Sequence, residues 1–144
     1  MTIINREAVI PYSPPQMFDL VNRIEDYPHF IPWCKSAEIL SRTEDEIQAK
    51  LDFARGGLQK SFTTCNRLQE NKMIEIRLIN GPFRHLEGFW RFEELTDGSR
   101  IRLDLEFEFA NKLIGMMFSP VFHPVADTLV EVFCKRAHEM YGAA

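Results

Sequence analysis

The residues of this chain that could do chemistry are few and form no recognisable catalytic set. Cys134 and His138 lie four residues apart, so on a helix they would share a face, as zinc ligands can. No second pair with ligand spacing accompanies them in the sequence, and we therefore predict no metal site. Cys65 has no identifiable histidine partner, which leaves a cysteine nucleophile without support.

The remaining titratable groups are equally isolated. Asp104, Glu106 and Glu108 look like a carboxylate cluster, but they alternate with apolar residues, which is typical of the wet face of a strand. The other histidines have no acid–base partner recognisable in the sequence: His29, His85 and His123. We therefore predict no catalytic residues and no enzymatic activity.

The composition limits the class of protein. The 144 residues suffice for one domain with a real core, which we place at 1–144. A formal net charge of −4 argues against a general nucleic-acid binder. Three widely spaced cysteines without a CxxC motif predict reduced thiols and a cytoplasmic location, and neither a secretory signal nor an uncharged stretch of membrane-spanning length is visible. Twelve phenylalanines suit the lining of an apolar space.

The secondary structure is most evident between residues 86 and 109, where apolar and charged residues alternate. The break at Thr96-Asp97-Gly98-Ser99 divides this run into two strands of a hairpin. Successive side chains of a strand point to opposite faces, so the pattern predicts an antiparallel sheet with one apolar and one solvated face.

The rest of the chain completes an α+β pattern. Residues 3–10 indicate an opening strand, and Ser13 before Pro14 and Pro15 indicates the start of a short helix. The aromatic segment 27–34, with its two prolines, predicts a second short helix or a turn. Further strands at 37–40, 47–53, 58–68 and 73–79 bring the sheet to about seven. The order predicts a helix-grip fold, in which a curved antiparallel sheet wraps around a long C-terminal helix.

The C-terminal helix is interrupted in sequence by Pro120 and Pro124. Proline removes a helical hydrogen bond and clashes with the preceding turn. We therefore expect a kink or a broken first portion, with a regular helix only from about Val125.

Several local strings resemble the coenzyme Q-binding START-like family, which includes the ribosome-association toxin family, within the polyketide-cyclase and START superfamily. The two most specific strings are Tyr27-Pro28-His29-Phe30-Ile31-Pro32-Trp33-Cys34 and the run from Asn80-Gly81-Pro82-Phe83 to Leu86-Glu87-Gly88-Phe89-Trp90-Arg91-Phe92. Three further strings agree with the family: Met17-Phe18-Asp19-Leu20-Val21, Ser61-Phe62-Thr63-Thr64 and Phe133-Cys134-Lys135-Arg136-Ala137. The resemblance covers nearly the whole chain.

The resemblance implies a non-enzymatic protein with an apolar cavity between sheet and helix. One branch of the family binds ubiquinone, without any required cofactor, and supports respiratory electron transport. The other is described as toxins, of a toxin–antitoxin type, that bind the large ribosomal subunit and block subunit joining. The motifs do not separate the two branches. A cyclase-like or hydrolase-like activity stays open as an analogy with the wider superfamily.

A polyprenyl quinone needs a deep apolar tunnel with a few hydrogen-bond donors. We predict that the cavity wall comes from inward strand positions and from the terminal helix: Phe53, Phe62, Ile76, Leu78, Leu86, Gly88, Trp90, Phe92, Leu103, Leu105, Phe107, Phe109, Met116, Met117, Leu129 and Phe133. Gly88 lacks side-chain volume in mid-strand, which makes room for a ligand or a bulge. The flexible Met116 and Met117 suit either a lid over that ligand or simple core filling.

Two surfaces are expected to contact partners. The apolar, proline-broken run 113–125 is predicted to touch a membrane surface during lipid exchange, so the protein would be peripheral at the inner membrane; plain packing as a lid is the alternative. For the ribosome-binding alternative, basic residues of the central hairpins would have to gather at one edge: Arg55, Lys60, Arg67, Lys72, Arg77 and Arg84. The oligomeric state is not predicted.

Overall fold

A computed structural model describes residues 1–55 and 57–142 of the chain. The strands are β1 (Thr2–Ile10), β2 (Cys34–Arg42), β3 (Glu46–Arg55), β4 (Leu58–Gln69), β5 (Met73–Asn80), β6 (Phe83–Leu95) and β7 (Gly98–Phe109). The helices are α1 (Pro14–Asn22) and α2 (Lys112–Tyr141), and a 3₁₀-helix spans Ile24–His29. The predicted helix-grip fold, with seven strands and a long C-terminal helix, is confirmed.

The sheet is antiparallel throughout, with the strand order β1-β7-β6-β5-β4-β3-β2. Its centre is the hairpin that the alternating pattern predicts, with Trp90 opposite Leu103 and Leu86 opposite Phe107. The apolar residues of both strands face α2, and the charged ones face solvent, because cross-strand partners share a face.

The first helix begins where the sequence indicates. The Ser13 side chain accepts a hydrogen bond from the Gln16 backbone N–H, and the Ser13 N–H donates to the Gln16 side chain at 2.9 Å, which is a complete capping box. The Tyr141 hydroxyl, at the end of α2, donates to the Gln16 carbonyl at 2.8 Å. The two helices are thereby joined at their ends.

The long helix α2 is continuous, which differs from the break expected at Pro120 and Pro124. Both prolines are exposed, so the carbonyls that lose their partners lie on the solvent side, where water can satisfy them. The buried side of the same turns carries Phe118 and Phe122, which are packed in the core on either side of Pro120. By length and composition α2 could cross a membrane, a property that it shares with the core helix of many globular proteins.

The core lies between the concave face of the sheet and α2. An aromatic cluster occupies the end of the core near the start of α2: Phe53, Phe62, Phe83, Phe107, Phe109, Phe118 and Phe122. Phe122 is at its centre, with its ring centroid 4.9 Å from Phe107 and 5.0 Å from Phe83. An ion pair between Arg6 on β1 and Asp127 fastens the edge of the sheet to α2.

Candidate functional site

A cavity of about 100 Å³ lies between the middle of the sheet and the middle of α2. Eight of the sixteen predicted wall residues line it: Phe53, Phe62, Ile76, Leu86, Trp90, Leu105, Leu129 and Phe133. The inward face of the strands therefore supplies much of the wall, as the alternating pattern predicts.

Five other predicted wall residues lie elsewhere in the core. Leu103 and Phe107 are almost fully buried against α2, and Phe92 packs with Phe18 and Trp90. Phe109, which belongs to the aromatic cluster, and Leu78 are partly buried and pack against the core. These side chains point inward as predicted, but neighbouring side chains fill the space in front of them.

Met116 and Met117 do not close the cavity. They are 76% and 51% exposed, although they were predicted to cover a ligand. The reason is the orientation of α2 about its own axis. Phe118 and Phe122 occupy the side that faces the sheet, so the two methionines lie on the outer side. They form an exposed apolar surface instead.

Gly88 also has a role other than the predicted one. A side-chain Cβ at this position would lie 2.7 Å from the Asp104 carbonyl oxygen and 2.9 Å from Cδ1 of Leu105. The strand pairing is regular here, with Gly88 opposite Leu105 and Ile76, so the glycine does not mark a bulge. Its missing side chain makes room for the close approach of β7 and Leu105, not for a ligand.

The sequence analysis missed eleven other lining residues, which come from β3, β4, α2 and the short elements before β2. The remaining lining residues are Val21, Ile24, Tyr27, Ile31, Ala49, Leu51, Thr64, Asn66, Phe122, Val125 and Ala126. The first four come from α1, the 3₁₀-helix and the turn after it. Their apolar character is visible in the sequence, but the way these short elements cover the end of the cavity depends on tertiary packing.

The cavity contains one polar pair. Thr64 and Asn66 are both buried on β4, and the Thr64 hydroxyl donates a hydrogen bond to the Asn66 side-chain oxygen at 3.1 Å. The other lining residues are apolar or aromatic, apart from the Tyr27 hydroxyl, which donates to the Val21 carbonyl. Such an arrangement provides an apolar volume with a single polar point that could orient a weakly polar group.

Burial affects two titratable groups next to the cavity. It raises the pKa of Tyr27, and burial together with the Asp52 carboxylate raises the pKa of Cys34 to about 11. Both groups are therefore neutral at physiological pH. Neither side chain therefore offers a tyrosinate or a thiolate at this position at physiological pH.

The outer face of the sheet holds a different group of polar side chains. His85 Nε2 lies 2.9 Å from Glu106 and 3.7 Å from Glu87, which are cross-strand neighbours. The hydrogen bond from His85, and then one involving Glu87, lowers the pKa of Glu106. His85 thus has an acidic partner that the sequence did not reveal. All three side chains are partly exposed, as expected for a solvated sheet surface.

This combination of a helix-grip fold with an apolar cavity defines the class of protein. The chain belongs to the family described as polyketide cyclase / dehydrase and lipid transport, whose pattern matches residues 10–134. The resemblance to the START-like superfamily is thereby confirmed.

Particular relatives are similar over almost the whole chain. The ribosome association toxin RatA of Pseudomonas aeruginosa is 42% identical over 142 residues, which cover 98% of this chain and 99% of the relative. The mitochondrial coenzyme Q-binding protein COQ10 of Dictyostelium discoideum is 27% identical, over 99% of this chain and 73% of the relative. Both relatives have names of binding proteins or toxins and not of enzymes.

Solved structures share the fold. The Zhui aromatase/cyclase of Streptomyces sp. R1128 has a TM-score of 0.82 at 16% identity, over 99% of this chain and 96% of that one. A START superfamily protein of Mycobacterium smegmatis has a TM-score of 0.78 at 21% identity, over 96% of this chain and 98% of that one. At such identities the likeness concerns the fold alone and carries no argument about chemistry.

Proposed function

We propose that this protein binds an apolar lipid, foremost a polyprenyl quinone such as ubiquinone, between the sheet and α2 without catalysing a reaction. In this proposal it needs no cofactor and works in the cytoplasm, at the inner membrane, in support of respiratory electron transport. The observation that carries the proposal is the apolar cavity with its single buried polar pair, Thr64 and Asn66. The similarity to a coenzyme Q-binding protein supports it.

The cavity is smaller than a polyprenyl quinone requires. Sites for drug-sized ligands usually measure about 300–1,000 Å³, whereas this cavity measures about 100 Å³. A quinone ring with its tail therefore requires the sheet and α2 to separate. Pro120 and Pro124 each remove a backbone hydrogen bond from the first half of α2, so fewer backbone hydrogen bonds oppose a separation there.

Native mass spectrometry and lipid extraction of the expressed protein test the proposal. We expect a co-purified quinone at a ratio of up to one per chain. Leu129→Trp adds bulk inside the cavity and should abolish quinone binding. Met140→Trp, on the exposed end of α2, should leave quinone binding unchanged. Circular dichroism checks that both variants fold. Folded protein that never carries or takes up quinone would contradict the proposal.

A second candidate is association with the large ribosomal subunit, with a block of subunit joining. The observation in its favour is the 42% identity to a ribosome association toxin, against 27% to the coenzyme Q-binding relative. Sedimentation with purified large subunits at increasing salt tests it. Binding that weakens with salt supports the candidate, and absence of binding at low salt excludes it.

A further inference from the structure

The two ends of the sheet differ in charge. Because the strands are antiparallel, one end collects the start of β2, the β3–β4 and β5–β6 turns and the start of α2. The segments 33–35, 55–60, 80–84 and 110–120 contain five basic residues and no acidic residue. The five are Lys35, Arg55, Lys60, Arg84 and Lys112. Of these, Arg84 has an acidic neighbour, because its Nη1 lies 3.9 Å from the carboxylate of Glu108 near the end of β7. We call this surface the basic end.

The opposite end of the sheet is acidic. Its three turns, at 42–46, 69–73 and 93–98, contain seven acidic and two basic residues. The basic residues that the sequence suggested would gather at one edge are therefore divided. Arg55, Lys60 and Arg84 lie at the basic end. Lys72 lies at the acidic end, Arg67 lies near that end of β4 opposite Glu46, and Arg77 lies on the outer face of β5. The two ends of the sheet thus carry opposite charge, although the net charge of the chain is −4.

The basic end also exposes apolar side chains. Leu113, Met116 and Met117, on the first turns of α2, are 67%, 76% and 51% exposed. Trp33, at the start of β2, is 44% exposed, and the Arg55 guanidinium lies 4.7 Å above its ring. Exposed aliphatic side chains cost free energy in water, and their grouping on one surface marks an interaction site.

We propose that the basic end docks on an anionic lipid bilayer, with the lysines and arginines among the headgroups and Leu113, Met116 and Met117 in the acyl boundary. Cations attract anionic headgroups, and aliphatic side chains gain free energy in hydrocarbon. Tryptophan is favoured at the level of the headgroups. A nucleic-acid partner would use the cations and could stack a base on Trp33, but it offers no hydrocarbon volume for three aliphatic side chains. The apolar side chains therefore favour the bilayer over RNA.

The basic end lies close to the point where a lipid from the bilayer could enter the cavity. The aromatic cluster lies between the exposed turns of α2 and the cavity: Phe118 is in contact with Phe122, with centroids 5.6 Å apart, and Phe122 lines the cavity. A lipid that enters from the bilayer would pass at this point, beside the two prolines. This step depends on the proposed ligand binding, whereas the docking itself does not.

Vesicle flotation without added quinone tests the docking alone. We expect the protein to float with phosphatidylcholine vesicles that contain phosphatidylglycerol, and much less with phosphatidylcholine alone. Replacing Lys35, Lys60 and Lys112 by Gln lowers the affinity by about fivefold per lysine, and about a hundredfold together. The matched control replaces the exposed Lys50, Lys72 and Lys135 by Gln, which removes the same charge elsewhere and changes the affinity by no more than about twofold.

The apolar contribution has its own variant. The variant in which Leu113, Met116 and Met117 are all replaced by Gln should bind these vesicles poorly even at low salt. Thermal unfolding should show that it is folded, because the three side chains are exposed. Equal losses in the two lysine triples would overturn the proposal, because they indicate general charge attraction. Failure of the wild type to float also overturns it. The proposal is also overturned if the variant of Lys35, Lys60 and Lys112 loses binding to large ribosomal subunits but not to vesicles, because that result assigns the surface to RNA. Docking that fails while quinone still co-purifies leaves the proposed function standing.

Discussion

Thr64 and Asn66 form a hydrogen-bonded pair on the inward side of β4, and the Thr64 hydroxyl donates to the Asn66 oxygen at 3.1 Å. Both residues are buried and line a cavity that is otherwise almost wholly apolar. A buried polar group costs free energy unless it is paired, so each of the two requires the other. The same pair is the part of the wall best suited to a quinone carbonyl.

The first prediction separates these two roles of the pair. Thr64→Val leaves the Asn66 oxygen without its donor and should lower the free energy of unfolding by about 2 kcal/mol. The double variant Thr64→Val/Asn66→Leu removes both polar groups and should recover most of that loss. Urea unfolding measures both effects. A double variant that is less stable than the single one would contradict the argument that Thr64 and Asn66 satisfy each other's hydrogen bonding.

The same double variant should alter ligand binding although it folds. Quinone that co-purifies with the wild type should be reduced in the variant, because the ring loses its polar contact while the tail keeps the apolar wall. Native mass spectrometry of the two proteins prepared in parallel gives the ratio. Unchanged occupancy would mean that the ligand's polar group lies elsewhere.

The aromatic cluster gives a second prediction. Phe122 is 5% exposed and contacts rings on the sheet and on its own helix, so Phe122→Ala should lower the free energy of unfolding by about 4 kcal/mol. Met117→Ala, on the exposed side of the same helix, should change it by less than about 0.5 kcal/mol. Denaturant unfolding compares the two. Similar small effects would contradict the assigned orientation of α2.

Much of the sheet could be predicted because a half-buried strand shows its two faces directly in the sequence. Leu86, Trp90, Leu105 and Phe107 all face α2 as their alternation requires. The capping box at Ser13 is likewise local, so the start of α1 was predictable. In each case the signal extends over a few neighbouring residues.

The errors concern long-range packing. Pro120 is a local signal for a break, but the burial of Phe118 and Phe122 keeps α2 continuous. The exposure of Met116 and Met117 depends on which stripe of α2 meets the sheet. The basic end is also invisible in sequence, because its five cations come from segments up to about 80 residues apart and meet only in the folded sheet.

A third prediction concerns Cys34. Burial, with a smaller effect of the Asp52 carboxylate, raises its pKa to about 11, so the folded protein keeps the thiol protonated. Because the pKa is raised on folding, this group favours the folded state fully below its ordinary pKa, and that contribution is lost as the pH rises through about 11. Alkylation by iodoacetamide should therefore be slow at neutral pH and accelerate only in strong alkali.

Mass spectrometry of a variant with Cys65→Ser and Cys134→Ser follows Cys34 alone. The same variant in denaturant is the control, and its alkylation should accelerate at a lower pH, near the ordinary pKa of a thiol. Equal pH profiles for the folded and unfolded protein would contradict the assigned burial of the side chain.

The last prediction distinguishes the two explanations of Gly88, ligand space and close strand approach. If the glycine made room for a ligand, Gly88→Ala would reduce ligand occupancy and leave the apo protein stable. The geometry indicates the opposite, because the new Cβ would meet the Asp104 carbonyl oxygen at 2.7 Å and Leu105 at 2.9 Å, so part of the contact is with rigid backbone. We expect a loss of about 2 kcal/mol in the free energy of unfolding of the apo protein. Gly57→Ala, where a Cβ meets nothing within 4 Å, is the control and should leave stability within about 0.5 kcal/mol.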